Sequence, residues 1–225
     1  MSKILVIPDT HLKPKMFDLA DKILSEHEID YAVQLGDNVD DFYCYENEYR
    51  AHEARMEKFY REHPETVWLF GNHEISYLIG RTVTGNTVWG ERMAQRYEKT
   101  FSPKFAHLDG KVVFSHAGIF REFVERGGLA DSKDAKELIE KINDLRFADF
   151  WEDDSPIWAR PQARHFEVPT QLDGILQVVG HTPMKENTLE GSVLSVDVFS
   201  TSWGKKFGSE KMIIVDTETA EFDET

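Results

Sequence analysis

Five short apolar runs in this chain each stop at, or within two residues of, a side chain able to hold a metal. Lys3–Ile7 leads to Asp9-Thr10-His11, and Tyr31–Leu35 to Gly36-Asp37-Asn38-Val39-Asp40. Thr66–Phe70 leads to Gly71-Asn72-His73-Glu74, Lys111–Ser115 to His116-Ala117-Gly118, and Ile175–Val179 to Gly180-His181-Thr182. Each run has the length and composition of a strand, and continuous apolarity marks strands covered on both faces. Val193–Phe199 and Lys211–Val215 read as strands too.

Helical periodicity fills the spaces between. Met16–Glu28 repeats Phe17, Ala20, Ile23 and Leu24 on one side, and the charged stretch Glu46–Glu62 carries Met56 and Phe59. Gly90–Thr100 and Ser132–Phe150 are further helices, the last with Ser132 as its cap and a stripe of Leu138, Ile139, Ile142, Leu145 and Phe150. Strands at both ends with helices between them predict an α/β or mixed layered fold. Residues 1–225 read as one domain, with a helical excursion around 121–161.

Charge and composition narrow the function classes. The formal net charge is −15, from 26 basic and 41 acidic residues, a field that repels duplex nucleic acid and anionic membrane. A nuclease is disfavoured on that ground and by the lack of a basic patch. No apolar run approaches the ~20 residues of a membrane span, and the N-terminal run is too short for a signal-peptide core. The single cysteine, Cys44, allows no intrachain disulfide and reads as apolar filler. The expected location is the cytoplasm.

Side chains at the carboxyl ends of neighbouring strands in an α/β sheet converge on one place. Asp9 and His11, two residues apart, project to the same side of an extended backbone. The glycines at 36, 71 and 180 let the chain turn beside a ligand. The donor set is oxygen and nitrogen without thiolate, which suits manganese, iron or zinc. One carboxylate shared by two ions holds them ~3.5–4 Å apart, and Asp37 is the candidate bridge.

The ordered series Asp9-x-His11, Gly36-Asp37-x-x-Asp40, Gly71-Asn72-His73-Glu74, His116-Ala117-Gly118 and Gly180-His181-Thr182 resembles the signature of the calcineurin-like metallophosphoesterase family. The resemblance implies a two-sheet β-sandwich flanked by helices. It implies two divalent metal ions, most readily Mn2+ with Fe, Zn or Ni as alternatives, and a hydroxide held between them as nucleophile. Asp9, His11 and Asp37 would hold the first ion; Asp37, Asn72, His116 and His181 the second. His73 would be the general acid on the leaving oxygen, with Asp40 orienting it. Pro183 stands where many members carry a further His, and the pattern is instead similar to the phosphoprotein phosphatase branch, which includes bacterial and bacteriophage Ser/Thr phosphatases and symmetrical dinucleoside tetraphosphate hydrolases. Ile157-Trp158-Ala159-Arg160 resembles that branch's Trp-x-Arg element, in which the Arg grips phosphate. The branch's Gly-Asp-x-x-Asp-Arg-Gly becomes Gly36-Asp37-Asn38-Val39-Asp40-Asp41-Phe42 here, so a phosphate-gripping Arg is replaced by Asp41. Arg81 and Arg164 are candidates to take its place.

The expected activity is phosphomonoester hydrolysis of the Ser/Thr protein phosphatase type on a phosphoprotein or nucleotide substrate. Hydrolysis of a dinucleoside polyphosphate, a cyclic nucleotide or another diester is the alternative, and a non-catalytic scaffold the contrasting class. Several residues carry two readings. Asp40 either orients His73 or caps the next helix, and Arg160 either binds phosphate or stacks on Trp158. Phe42, Tyr43 and Tyr45 either shape a substrate pocket or begin the next helix facing the core. His27, His52, His63, His107 and His165 read as structural histidines bonded to backbone.

Overall fold

Six of the seven apolar runs become inner strands of two sheets, and Thr66–Phe70 supplies a short edge strand. The structure is a computed structural model and describes residues 2–42, 44–202 and 205–225. In chain order, β1 (Lys3–Ile7), α1 (Lys15–Glu26), β2 (Tyr31–Gln34), α2 (Glu46–Glu62), β3 (Val67–Trp68), α3 (Asn72–Leu78) and α4 (Val88–Phe101) form the first half. Then come β4 (Ala106–Asp109), β5 (Val112–Ser115), α5 (Arg121–Arg126), α6 (Ala135–Asn143), β6 (Leu176–Val179), β7 (Thr188–Glu190) and β8 (Val193–Ser195). A two-stranded ribbon, β9 (Thr201–Ser202) and β10 (Lys205–Lys206), precedes β11 (Ile213–Asp216) and β12 (Phe222–Glu224).

The first sheet has the order β12-β11-β1-β2-β3, and the second β4-β5-β6-β8-β7. Within them β1, β2 and β3 run parallel, as do β5, β6 and β8. Alternate side chains of β1 divide two cores. Ile4 and Val6 join Val33, Phe114, Val178 and Leu194 in one buried cluster built from both sheets. Leu5 and Ile7 face the other way and join Phe17, Phe59 and Trp68 beneath the helices. This double coverage is why the runs lack a polar alternation, and the architecture is the expected helix-flanked sandwich.

Several expected bounds change for local reasons. Glu46–Glu62 and Lys3–Ile7 match the expected spans, whereas the helix expected over Ser132–Phe150 stops at Asn143. The Asn143 side chain accepts from the backbone N–H of Phe105 and Ala106 and donates to Ala106 O, so the helix end is tied to β4. The chain resumes as a 3-10 turn at Phe147–Phe150. Asp134, not Ser132, caps α6 by accepting from Glu137 N at 2.9 Å, because the Ser132 hydroxyl donates to Leu129 O. The expected strand Val193–Phe199 ends at Ser195. The strands β4, β7 and β12 have no continuous apolar run to announce them.

Candidate metal centre

Each loop after a parallel strand delivers one part of the site. After β1 the chain turns through His11 (φ 39°) and Leu12 (φ 56°), held by His11 N–H donating to Asp37 O at 2.9 Å and Lys13 N–H donating to Thr10 O at 2.9 Å. Asp9 and His11 reach the same cluster, as their spacing predicts, but the extended backbone ends at His11, which is itself left-handed. Asp37 (φ 54°) and His181 (φ 64°) are left-handed as well. Three candidate ligands thus hold a backbone region that non-glycine residues seldom occupy, the kind of local strain that functional sites retain.

Two glycines are fixed by close approach. A Cβ on Gly71 would lie 2.5 Å from Asp37 N, and one on Gly180 would lie 2.0 Å from Asp9 Oδ1. Glu74 then stitches two loops together. Its Oε2 accepts from the N–H groups of Gly71 and Asp37, each at 2.9 Å, and its Oε1 from Asn38 N at 2.6 Å. Burial and the nearby Asp37 push the Glu74 carboxyl up to about 7, against the pull of those three donors. Deeper still, Gln34 bonds the Gly36 backbone at both N–H and C=O and accepts from Asn38 Nδ2 at 2.8 Å.

The donors meet around Asp37. Asp37 Oδ2 lies 3.6 Å from His11 Nε2 and 3.4 Å from His116 Nε2, and His116 Nε2 is 3.0 Å from Asn72 Oδ1 and 3.1 Å from His181 Nδ1. Two groups, Asp9–His11–Asp37 and Asp37–His116–His181, each bring their donor atoms within 4.8 Å and share Asp37. The outer nitrogens are fixed by carbonyls. His116 Nδ1 is 2.8 Å from Leu35 O and His11 Nδ1 is 2.9 Å from Asp40 O, so each Nδ1 carries a proton and each Nε2 is the nitrogen turned toward the cluster.

Converging acceptors need a cation between them. Asp9 Oδ1 and His181 Nε2 are buried without a hydrogen-bond partner. Burial and the neighbouring Asp197 and Asp37 hold the Asp9 carboxyl well above its usual range despite His116, while burial and the nearby His116 push His181 well below its own. Burial would lower His116, yet Asp37 and Asp9 carry it up to about 10. Buried carboxylates that drive a buried imidazole to hold a proton are asking for positive charge, and an oxygen–nitrogen donor set of this kind fits divalent metals.

Beside this cluster, the His73 Nδ1 contacts the buried Asp40 Oδ1, and Asp40 Oδ2 accepts from Tyr77 Oη at 2.9 Å. Tyr77 Oη in turn accepts from Thr87 N at 2.7 Å. Asp40 therefore faces His73 and does not cap α2; at that helix start Glu48 accepts from Tyr45 N. Burial opposes a charged His73, but Asp37 and Asp40 push it up to about 9. The donor atoms of His11, Asp40 and His73 also lie within 4.8 Å of one another, although Asp40 is engaged by His73 and Tyr77.

A cavity of about 310 Å³ opens onto His11, Asp37, Asn72 and His73 and is walled by Trp158 and Arg160. Arg160 Nη1 donates to Thr182 Oγ1 at 3.2 Å, and Trp158 packs edge-on against His181. Arg81 and Arg164 do not line this cavity: Arg81 borders a separate cleft with Tyr77 and Asn86, and the Arg164 guanidinium lies over Phe166. Phe42 (59% exposed) borders the site cavity and Tyr45 is 67% exposed, so neither faces the core; Tyr43 lies outside the described residues. Of the histidines read as structural, His52, His63 and His107 pair with the side chains of Thr10, Asp21 and Tyr31 instead of backbone.

Sequence reading missed Asp197. It is 1% exposed, two residues beyond β8, with both carboxylate oxygens accepting from Ser200 Oγ and its carboxyl pushed up by burial. The same strand-end rule would have found it, had Val193–Phe199 not been read as one strand. Tyr77 and Lys13, which also borders the cavity, carried no motif signal.

A helix-flanked sandwich that gathers acidic, imidazole and carboxamide donors at its parallel strand ends defines a metal-dependent hydrolase. The calcineurin-like phosphoesterase family model matches residues 2–207, and the chain belongs to that family of metal-dependent phosphoester hydrolases. Among curated proteins no match was found. Similar solved structures include a mutant cold-active protein tyrosine phosphatase (TM-score 0.60, 17% identity, covering 100% of this chain and 80% of that one). The cold-active protein-tyrosine phosphatase of a psychrophilic Shewanella species is similar at TM-score 0.56 and 16% identity, with 100% and 80% coverage. A hypothetical protein from Pyrococcus horikoshii is similar at TM-score 0.50 and 11% identity, covering 100% of this chain and 87% of that one. No helix among the described residues is long and apolar enough to cross a membrane.

Proposed function

We propose that this chain is a phosphomonoesterase of the phosphoprotein phosphatase type, with Asp9, His11, Asp37, Asn72, His116 and His181 as ligands of two divalent cations, Mn2+ being the leading choice. The observation that carries the reading is the His73–Asp40 contact, set directly against the donor cluster at the mouth of the cavity. Bound divalent cations would supply Lewis acidity and a water of lowered pKa. The chain's own residues do the rest. Asp40 fixes the His73 Nδ1–H, which leaves Nε2 to deliver a proton to the departing oxygen. Arg160 offers the forked donors that suit a phosphoryl group. His116 and His11 would offer Nε2 to the cations, because Leu35 O and Asp40 O hold their Nδ1 protons.

Phe42 favours a second reading. An exposed ring at the cavity edge is suited to stacking a base, as a dinucleoside polyphosphate would require. Metal-stripped protein reloaded with Mn2+ separates the two when assayed on p-nitrophenyl phosphate, bis-p-nitrophenyl phosphate and diadenosine tetraphosphate. Preference for the first supports the monoesterase; release of two nucleotides from the last supports the alternative. Activity that survives Asp37→Asn unchanged would overturn the metal-centred reading of either.

A further inference from the structure

Asp41 puts a negative charge where the resembled pattern places a phosphate-holding arginine, and the structure sends neither Arg81 nor Arg164 there. Lys13 borders the cavity instead, together with Asp41 and Arg160, and no other Lys or Arg among the described residues lines it. The turn that aims His11 at the donor cluster also sets Lys13. His11 and Leu12 are both left-handed, Leu12 is buried at 7% exposure, and Lys13 N–H closes the turn on Thr10 O. The lysine is thus carried at a fixed place relative to a candidate metal ligand.

Its present partner holds it loosely. Lys13 Nζ lies 3.5 Å from Asp41 Oδ2, with both side chains about a quarter exposed (24% and 23%). That separation is longer than a charge-assisted hydrogen bond of ~2.7–2.9 Å, and an ammonium has three donors to offer. Without Lys13, the Asp41 carboxylate would face an incoming phosphate dianion inside a chain whose net charge is already −15. With Lys13 in place the Asp41 charge is offset by a cation that can change partner.

We propose that Lys13 is a substrate-phosphate-binding residue, taking the part of the absent arginine, and that Asp41 holds it in the free enzyme and competes with phosphate for it. The inference rests on reading this cavity as a phosphoester site. A merely structural ion pair makes a different prediction, since loss of either partner would then act in the same direction. Here the two substitutions act oppositely on phosphate affinity.

The test uses Mn2+-loaded wild type, Lys13→Met, Lys13→Arg and Asp41→Asn, with KM and kcat on p-nitrophenyl phosphate and calorimetric binding of inorganic phosphate. Lys13→Met should raise KM and the phosphate Kd about tenfold, with a smaller change in kcat. Lys13→Arg should restore most of that affinity, and Asp41→Asn should lower both constants about threefold as the competitor is removed. Unchanged KM and Kd in Lys13→Met, or shifts of the same sign in Lys13→Met and Asp41→Asn alongside equal losses in Tm, would overturn the role. If wild type hydrolyses the ester and Lys13→Met does so with the same KM, the Lys13 assignment alone fails. If wild type binds phosphate in a Lys13-dependent way but turns over no ester, the hydrolase reading fails and the binding role stands.

Discussion

His73 and Glu74 are neighbours in sequence with opposite duties. His73 reaches Asp40 and borders the cavity, so His73→Asn should leave metal content unchanged while lowering kcat ~10²-fold or more. The loss should be larger for alkyl phosphates than for p-nitrophenyl phosphate, whose leaving group needs less help. A His73→Asn variant fully active on alkyl phosphates would remove the acid role. Glu74 is fully buried and its two oxygens accept from three backbone N–H groups. Glu74→Gln keeps the shape but loses one acceptor and turns an amide toward donors, which should cost about 1–3 kcal/mol. Urea unfolding of the metal-free variant checks this; a midpoint equal to wild type would mean the clamp contributes nothing.

At the scale of elements, the site depends on how closely β1 and β6 bring their loops together. Gly180 follows β6, and a Cβ there would meet Asp9 Oδ1 at 2.0 Å, while His181 N–H donates to Asp9 Oδ2 at 2.8 Å. Gly180→Ala should therefore push Asp9 out of register and weaken metal affinity at least tenfold, with secondary structure retained. Metal titration with circular dichroism on the same sample measures both; full affinity would show that the loop can yield. The helices were legible where their faces were one-sided, as in Glu46–Glu62, where buried Tyr49, Met56 and Phe59 oppose a charged surface. They were less legible where a polar tie decided the end, since Asn143 stops α6 by bonding to a strand 37 residues earlier in the chain.

At the scale of the whole molecule, a polar link at Tyr31 helps tie the two sheets together. Tyr31 of β2 donates to Asp109 Oδ2 at 2.7 Å and lies 2.9 Å from His107 Nε2, both in the second sheet. Burial and Lys104 lower His107 to about 4, below the ordinary histidine value of about 6.5. The unfolded chain therefore takes up this proton first as pH falls, and the linked stability, complete above about 6.5, drains away toward pH 4. His107→Gln should show a shallower fall in Tm than wild type over that window, and parallel curves would exclude the link. Metal is the other global lever. Asp9 and Asp37 are buried at 1% and 2% exposure, so a bound cation relieves a cost that the bare fold must bear. Loading at ~100 times Kd should stabilise by about 2.7 kcal/mol, and a Tm indifferent to chelation would contradict the metal centre.

The sequence by itself determined the inner strands and the order of the site. Both faces of the inner strands are covered, which leaves continuous apolar runs, and parallel strands deliver whatever follows them to one edge. Asp9, His11, Asp37, Asn72, His73, His116 and His181 could be read in that way. Only the tertiary structure decided what supports them. Tyr77 reaches Asp40 from α3, Asn143 ends its helix on β4, Asp197 folds back onto Ser200, and Lys13 faces Asp41 across two loops. Strand patterns are written in adjacent residues because burial acts on each side chain separately. Polar partnerships between distant segments are not, because a hydrogen bond or ion pair depends on where the rest of the chain has already placed its other half.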